Sequence, residues 1–552
     1  MVPPPRRLPV AFALALLILL SSLVGVAAVV ATPAASPVVI EAAPEVSHAA
    51  PSGEQLLRLT GPVEPIVTLD PALARDVTAS FFSRLLFRGL TRLDDSLAPV
   101  PELAERIEIS ADGLVYRFVL REAATFHDGR PIVAADVIAS LTRSLSPATA
   151  GDSPERLGGP TYLSDIDGAE AVTAGRSDTL RGARVVDERT LELRLAAPRA
   201  TFLMKLASPA AAIVDPIQVA AGADWWQAPN GSGPFAVGAF VPEERLDLVA
   251  FDGYAAGPPT LRRIEMRLGP TAANAYNLYQ AGEIDVTAVP LSSIDLALDP
   301  EEGAIGEVSV VPLLATSYIA FRTDEPPLDD PAVRRALALA FPRAQLAEVG
   351  FAGHKLAADG LLPPGLLGRE WPTALPAYDP EAARAALAES RYGAGEAMPP
   401  LQIYGLGAFG AETLRDTAGE TLGIEIDVVE LEWPDYYLRL ARRELPAHEL
   451  LWVADYPDPE SFLWSLFGAE SPDNFTGYAN PTFDALLDEA AATLDSEARA
   501  DLYDQAHRLL IDDGVVLPLL HDIRYTLSRP TVKGLVVTQL GILDFDGVWI
   551  EQ

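Results

Sequence analysis

Residues 451–462 read L-W-V-A-D-Y-P-D-P-E-S-F, and two prolines there limit the path of the chain. Pro457 and Pro459 lack backbone N–H groups and fix φ, so neither a helix nor a central strand can run through them. Residues 448–453 before them have the composition of a strand. Asp455 is therefore predicted at a strand end, where a rigid element hands over to a loop and where sites gather. Trp452 and Tyr456 flank it. A carboxylate among aromatics can take an ammonium group out of water and still satisfy it. The residues alone leave a second reading open, a loop whose Asp caps a backbone N–H.

The chain has 552 residues, too many for one ordinary core, which predicts two or three domains. Its formal net charge of −36 makes nucleic acid a poor partner, because phosphate contacts need basic patches. Only three of the 41 cations are lysines (Lys205, Lys355, Lys533), which reads as codon bias of the source genome. There is no cysteine, so disulfides, thiolate metal sites and a lipid-anchoring Cys are excluded. The six histidines are scattered without an i,i+4 pair.

Arg6 and Arg7 precede an uncharged apolar run over residues 8–30. That run is long enough to span a bilayer as a helix, and long for the core of a cleaved signal. The expectation is a signal or anchor that places everything after it outside the cytoplasm. The Ala- and Pro-rich residues 31–54 read as a flexible linker, with order beginning at Leu56.

Beyond it, residues 106–121 read as a hairpin turning at Asp112-Gly113, and residues 185–196 as another. Further strands are expected near 246–251, 264–268 and 308–313. In the second half, Asp330-Pro331, Asp379-Pro380 and Asn480-Pro481 each start a helix, with proline at the first helical position. A fourth helix, lined by Leu502, Ala506, Leu509 and Leu510, should end at Gly514. Strands alternating with helices imply α/β architecture.

Gly405, Gly407 and Gly410 match G-x-G-x-x-G between a predicted strand and a predicted helix. A nicotinamide cofactor is declined, because an exported chain meets little of it and Glu412 would face the phosphates. No G-x-S-x-G, H-E-x-x-H or P-loop is present. Asp455, Asp458 and Glu460 suggest a carboxylate pair for a secreted hydrolase, or a calcium site, but the two prolines hinder wrapping them round one ion.

Six segments in order resemble the peptide-binding group of the extracytoplasmic solute-binding proteins of ABC importers (family 5). They are V-T-L-D-P at 67–71, A-D-G-L-V-Y-R-F-V-L-R at 111–121 with F-H-D-G-R-P-I-V-A-A-D-V at 126–137, G-S-G-P-F at 231–235, Y-I-A-F-R-T-D-E-P-P-L-D-D-P-A-V-R-R-A-L at 318–337, A-D-Y-P-D-P at 454–459 and N-P-T-F-D-A-L-L at 480–487. The resemblance implies a two-lobed periplasmic-binding-protein-like (type II) α/β fold built from three discontinuous domains. Domain I would hold 55–92, 222–312 and 520–552, domain II 93–221, and domain III 313–519. Ligand would bind between the lobes, which close over it.

In such proteins an Asp of the W-V-A-D type pairs with the ligand's α-ammonium, which implies that role for Asp455. The resemblance also implies ligand contacts for Trp433, nineteen residues before Trp452, and for Tyr318, with Trp452 and Tyr456 beside the carboxylate. It implies a peptide ligand, an ABC permease and ATPase as partners, the membrane if the N-terminal helix stays uncleaved, no cofactor and no catalysis. Nickel chelates, sugars and opines are the other solutes of the family. The loop 405–410 offers no Arg for a ligand carboxylate, and Leu440 and Glu449 stand where an oligopeptide binder has arginines. Arg439, Arg442 and Arg443 lie near in sequence.

Overall fold

The structure is a computed structural model that describes residues 37–42, 53–153, 156–299, 301, 307–371, 375–395, 398–407 and 409–552. The apolar run 8–30 lies outside these residues. Among the described residues no helix is long and apolar enough to cross a membrane.

Local chemistry sets the helix starts. Asp330, Asp379 and Asn480 each accept from backbone N–H groups of the first turn, and the proline that follows needs no partner there. They begin helices Pro331–Leu339, Pro380–Ala388 and Pro481–Ala492. Helix Ser496–Asp512 stops before Gly514, whose φ of +63° a side chain would resist. The predicted hairpins form as strands Ala104–Ile109 with Val115–Leu120, and Ala183–Val185 with Thr190–Arg194.

Three larger sheets organise the chain. One is five-stranded and antiparallel, with the two hairpins side by side. Its outer strand is Val38–Glu41, paired with Ala104–Ile109. This corrects the linker expected over 31–54: inside it, two valines and an isoleucine supply an edge strand. The second sheet orders Leu56–Thr60, Arg263–Arg267, Arg245–Ala250 and Phe235–Val241. The third has seven strands and holds the parallel pair Leu401–Gly405 and Ile426–Glu430. The result is a two-lobed α/β fold built from three discontinuous domains.

The two long strands of the third sheet pair along most of their length. Glu307–Phe321 and Val516–Ser528 run antiparallel from Glu307↔Ser528 to Ala320↔Val516, with shifts of register near Pro312 and Ser317. One end of Val516–Ser528 also pairs with Val286–Ala288, and Ala447–Val453 flanks Glu307–Phe321 at the other end. The strand expected over 308–313 is thus more than twice as long as predicted, because it pairs with Val516–Ser528 along its length and with Ala447–Val453 at its far end.

A buried charge cluster also ties distant segments. Lys205, almost inaccessible, donates to Asp165 at 2.9 Å and to Glu460 at 2.6 Å. Burial alone would lower its ammonium; the two carboxylates overcome this and lift it to about 12. Thr201 donates to the same Glu460, and Arg199 meets Asp165 at 3.0 Å. Removing one member leaves the others charged and buried. Lys205→Ala is therefore expected to lower stability by about 3–5 kcal/mol, read as an earlier urea midpoint. A midpoint unchanged from the parent protein would contradict this account of the cluster.

Candidate functional site

Strand Ala447–Val453 ends where the sequence predicts, and Ala454 N–H still donates to Leu314 O at 2.8 Å on the crossover strand. Asp455 N–H then donates to Ser461 Oγ at 2.9 Å, which holds the turn into helix Glu460–Phe467. Asp455 thus sits just past the strand end, beside the long strand Glu307–Phe321. The residue as a whole is half-buried, but its Oδ2 is closed off from solvent and has no hydrogen-bond partner. Burial pushes its carboxyl up to about 6, against the Tyr162 hydroxyl and the Arg75 guanidinium, which favour the charged form.

Arg75 stands near it but is already engaged. Its Nη2 pairs with Asp473, its Nη1 donates to Thr161 Oγ1 at 2.8 Å, and its Nε donates to Tyr437 Oη at 3.4 Å. Thr161 donates in turn to the other Asp473 oxygen at 3.2 Å. With the domain bounds expected from the sequence, residues 75 and 161 fall in one lobe and residues 437 and 473 in the other, so this network would cross between them. Among the described residues it leaves Asp455 as a carboxylate without an ion-pair partner, its Oδ2 unbonded. Arg84 acts on the same region from helix Val77–Leu86, its guanidinium lowered to about 10 by burial and by Arg88 beside it.

The other predicted site residues divide. Trp433 opens helix Trp433–Ala441 and is 37% exposed, with its ring tilted against Tyr437 at 5.6 Å. It therefore joins the Arg75 network through Tyr437. Trp452 is half-buried and donates from Nε1 to Ser461 O at 2.9 Å, so it braces the Asp455 turn from behind. Tyr318 is buried in a core, edge-on to His448 at 6.3 Å, and burial pushes its phenol well up. Tyr456 is also buried, in the core that contains Phe118 and Phe202, with Lys205 over its ring at 6.0 Å. Both rings are taken up by cores, Tyr318 on a strand buried on both faces and Tyr456 in the turn that follows the strand end.

Other arrangements weighed from the sequence find no support. Asp458 pairs with Arg499 at 2.9 Å and Glu460 with Lys205, so the 455–460 carboxylates face different partners. Among the described residues no cluster of acidic or His side chains could hold a metal ion. The glycine motif does lead from strand Leu401–Gly405 into helix Phe409–Leu422. Its helix N-terminus is occupied: Glu449 accepts from Gly410 N–H at 3.0 Å and Ala411 N–H at 2.7 Å. A carboxylate already takes the place a pyrophosphate would need. Arg75, Thr161, Tyr162 and Asp473 escaped sequence reasoning, since they come from three separate stretches and share no local pattern.

Residues 98–474 match the family of bacterial extracellular solute-binding proteins, family 5 middle. The chain is 31% identical over 484 residues to the probable di/tripeptide-binding protein 5 of Pseudomonas aeruginosa, covering 82% of this chain and 87% of that one. It is 30% identical over 494 residues to the probable deoxycholate-binding periplasmic protein YgiS of Escherichia coli, covering 87% and 90%. Among solved structures, the murein tripeptide binding protein MppA of Escherichia coli superposes with a TM-score of 0.80 at 24% identity, covering 91% of this chain and all of that one. The unliganded open form of MppA gives 0.68 at 25% identity, covering 91% and 99%.

The Arg75–Asp473 network is the contact that opening would break. Asp473→Ala is expected to enlarge the radius of gyration of the ligand-free protein in small-angle scattering, and added ligand should shrink it again. A ligand-free radius equal to that of the parent protein would show that this network does not hold the lobes together.

Proposed function

Because the chain belongs to the bacterial extracellular solute-binding proteins of family 5, we propose that it is the peptide-binding component of an ABC importer. It is extracytoplasmic; we place it in the periplasm or at the outer face of the cell membrane, handing its ligand to a permease driven by an ATPase. Residues 8–30 act as its export signal or as an uncleaved anchor. We assign domain I to about 55–92, 222–312 and 520–552, domain II to 93–221 and domain III to 313–519. Strand Val38–Glu41 adds to domain II. The function is binding and release, with no reaction step.

One observation carries the ligand assignment. Asp455 presents a buried carboxylate oxygen without a partner just past the strand end, while the neighbouring Arg75 is held by Asp473. A buried anion is costly until a cation meets it. The α-ammonium of a peptide supplies that cation with three N–H donors, and relatives named for di- and tripeptides make it the natural choice. Trp433 flanks the ligand, and Trp452 contributes by bracing the Asp455 turn. Tyr318 and Tyr456 support the site from the cores behind it.

Asp455→Asn keeps the shape and removes the charge. Truncating one side of such a pair costs about 2–5 kcal/mol, so trialanine should bind about thirtyfold more weakly or worse. N-acetyl-trialanine lacks the cation, so it should bind the parent protein poorly and lose little more in the variant. Equal losses for both peptides in calorimetry would mark Asp455 as structural. A deoxycholate-like ligand would be indifferent to the variant, which separates the relative named for it.

The pH dependence follows from the raised carboxyl. Above about pH 6 Asp455 is charged in the ligand-free protein and ready for an ammonium. Below it the site must first lose a proton, so affinity for trialanine should fall by about tenfold per unit as pH drops. The sign for stability is opposite. A carboxyl raised on folding is a cost when ionised, which grows as pH climbs from its ordinary range to about 6. Affinity flat between pH 7 and pH 5 would count against an ionised Asp455 as the ammonium's partner.

A further inference from the structure

The ladder between Glu307–Phe321 and Val516–Ser528 carries one more charge. Arg524 lies in register with Val311, well along the crossover. Its Nε donates to Thr526 Oγ1 at 3.4 Å and its Nη1 to Gly541 O at 3.0 Å. Among the described residues its Nη2 makes no hydrogen bond and no carboxylate lies within ion-pair distance. Burial lowers its guanidinium below the ordinary value, yet an arginine stays cationic. A partly desolvated cation without a counter-ion is a costly thing to keep.

Arg524 lines a cavity of about 680 Å³, within the range of ligand pockets. Asn274, Tyr276, Asn277, Ser293 and Thr526 supply further donors and acceptors around it. Among the described residues that line this cavity, Arg524 alone is charged. A polar cavity with a single uncompensated positive charge favours an anion, and a planar fork of N–H groups favours a carboxylate.

Strand register relates this cavity to Asp455. Ala454 is bonded to Leu314, three residues along the crossover from Val311, and Arg524 lies on the opposite flank of that strand. Three residues of rise and two strand spacings put the two backbones roughly 14 Å apart. That is about the length of four extended residues, or of fewer with the reach of an arginine added.

We propose that Arg524 receives a carboxylate of the ligand, and that the cavity beside it is the anionic subsite of the cleft. The inference rests on the peptide reading above: a free peptide carries an ammonium at one end for Asp455 and a carboxylate at the other for Arg524. It also accounts for the loop 405–410 without an arginine, and for Glu449 being spent on a helix cap. The carboxylate end is read from the hinge strand instead.

Calorimetry with trialanine and its C-terminal amide tests this on the intact protein and on Arg524→Gln. On the parent protein the amide should bind about thirtyfold more weakly than the free acid. Arg524→Gln should weaken the acid by a similar factor and the amide by less than about threefold. Equal affinity of acid and amide for the parent protein would overturn the proposal without reliance on the variant. Equal losses of both peptides in a folded variant would overturn it too, leaving Arg524 as a brace for Gly541. In either case trialanine still binds the parent protein and the peptide reading stands. If neither peptide binds the parent protein, the peptide reading falls and takes this proposal with it.

Discussion

The antiparallel ladder between Glu307–Phe321 and Val516–Ser528 is the constraint on which the rest depends. Its strands come from positions about 200 residues apart, and each is long enough to belong to two lobes. A ladder of backbone hydrogen bonds resists stretching yet twists readily, which suits a joint. The shifts of register near Pro312 and Ser317 fall within it, at the level where Ala454 meets Leu314. Both charged groups assigned to the ligand are fixed relative to this ladder, Asp455 through the adjoining strand and Arg524 as one of its own residues.

Around that joint the electrostatics are local rather than global. A chain with a net charge of −36 would repel anions at long range. Screening confines that repulsion to about a Debye length, and buried groups are governed by their neighbours. Thus Arg75 is neutralised by Asp473, Lys205 by two carboxylates and Asp458 by Arg499, while Asp455 and Arg524 are left over with opposite sign. Among the described residues near the joint, these two carry no ion pair and face a buried gap or a cavity.

Features set within a few residues were legible in the sequence. Asp330, Asp379 and Asn480 before proline dictate helix starts through bonds two or three residues away. Asp112-Gly113 turns a hairpin, and Pro457 and Pro459 end a strand where Asp455 begins a loop. What was not legible depends on distance. The partners of Arg75 lie 86, 362 and 398 residues away. Tyr318 and Tyr456 carry the right chemistry for a cleft, but cores built from distant segments enclose both rings. The strand Val38–Glu41 did leave a signal, its run of β-branched residues, which the surrounding alanines and prolines obscured.

The bond network between Arg75, Thr161, Tyr437 and Asp473 has a kinetic consequence. If that network draws the lobes together before cargo arrives, the protein presents much the same outline whether empty or loaded. A receiving complex that senses outline alone would then dock idle copies as readily as full ones, and idle copies would compete for it. Discrimination would then come from lifetime: the empty form would reopen at a rate set by this network alone, while the loaded form would also have to release its cargo. The lobes would then work less as a shape signal than as a timer.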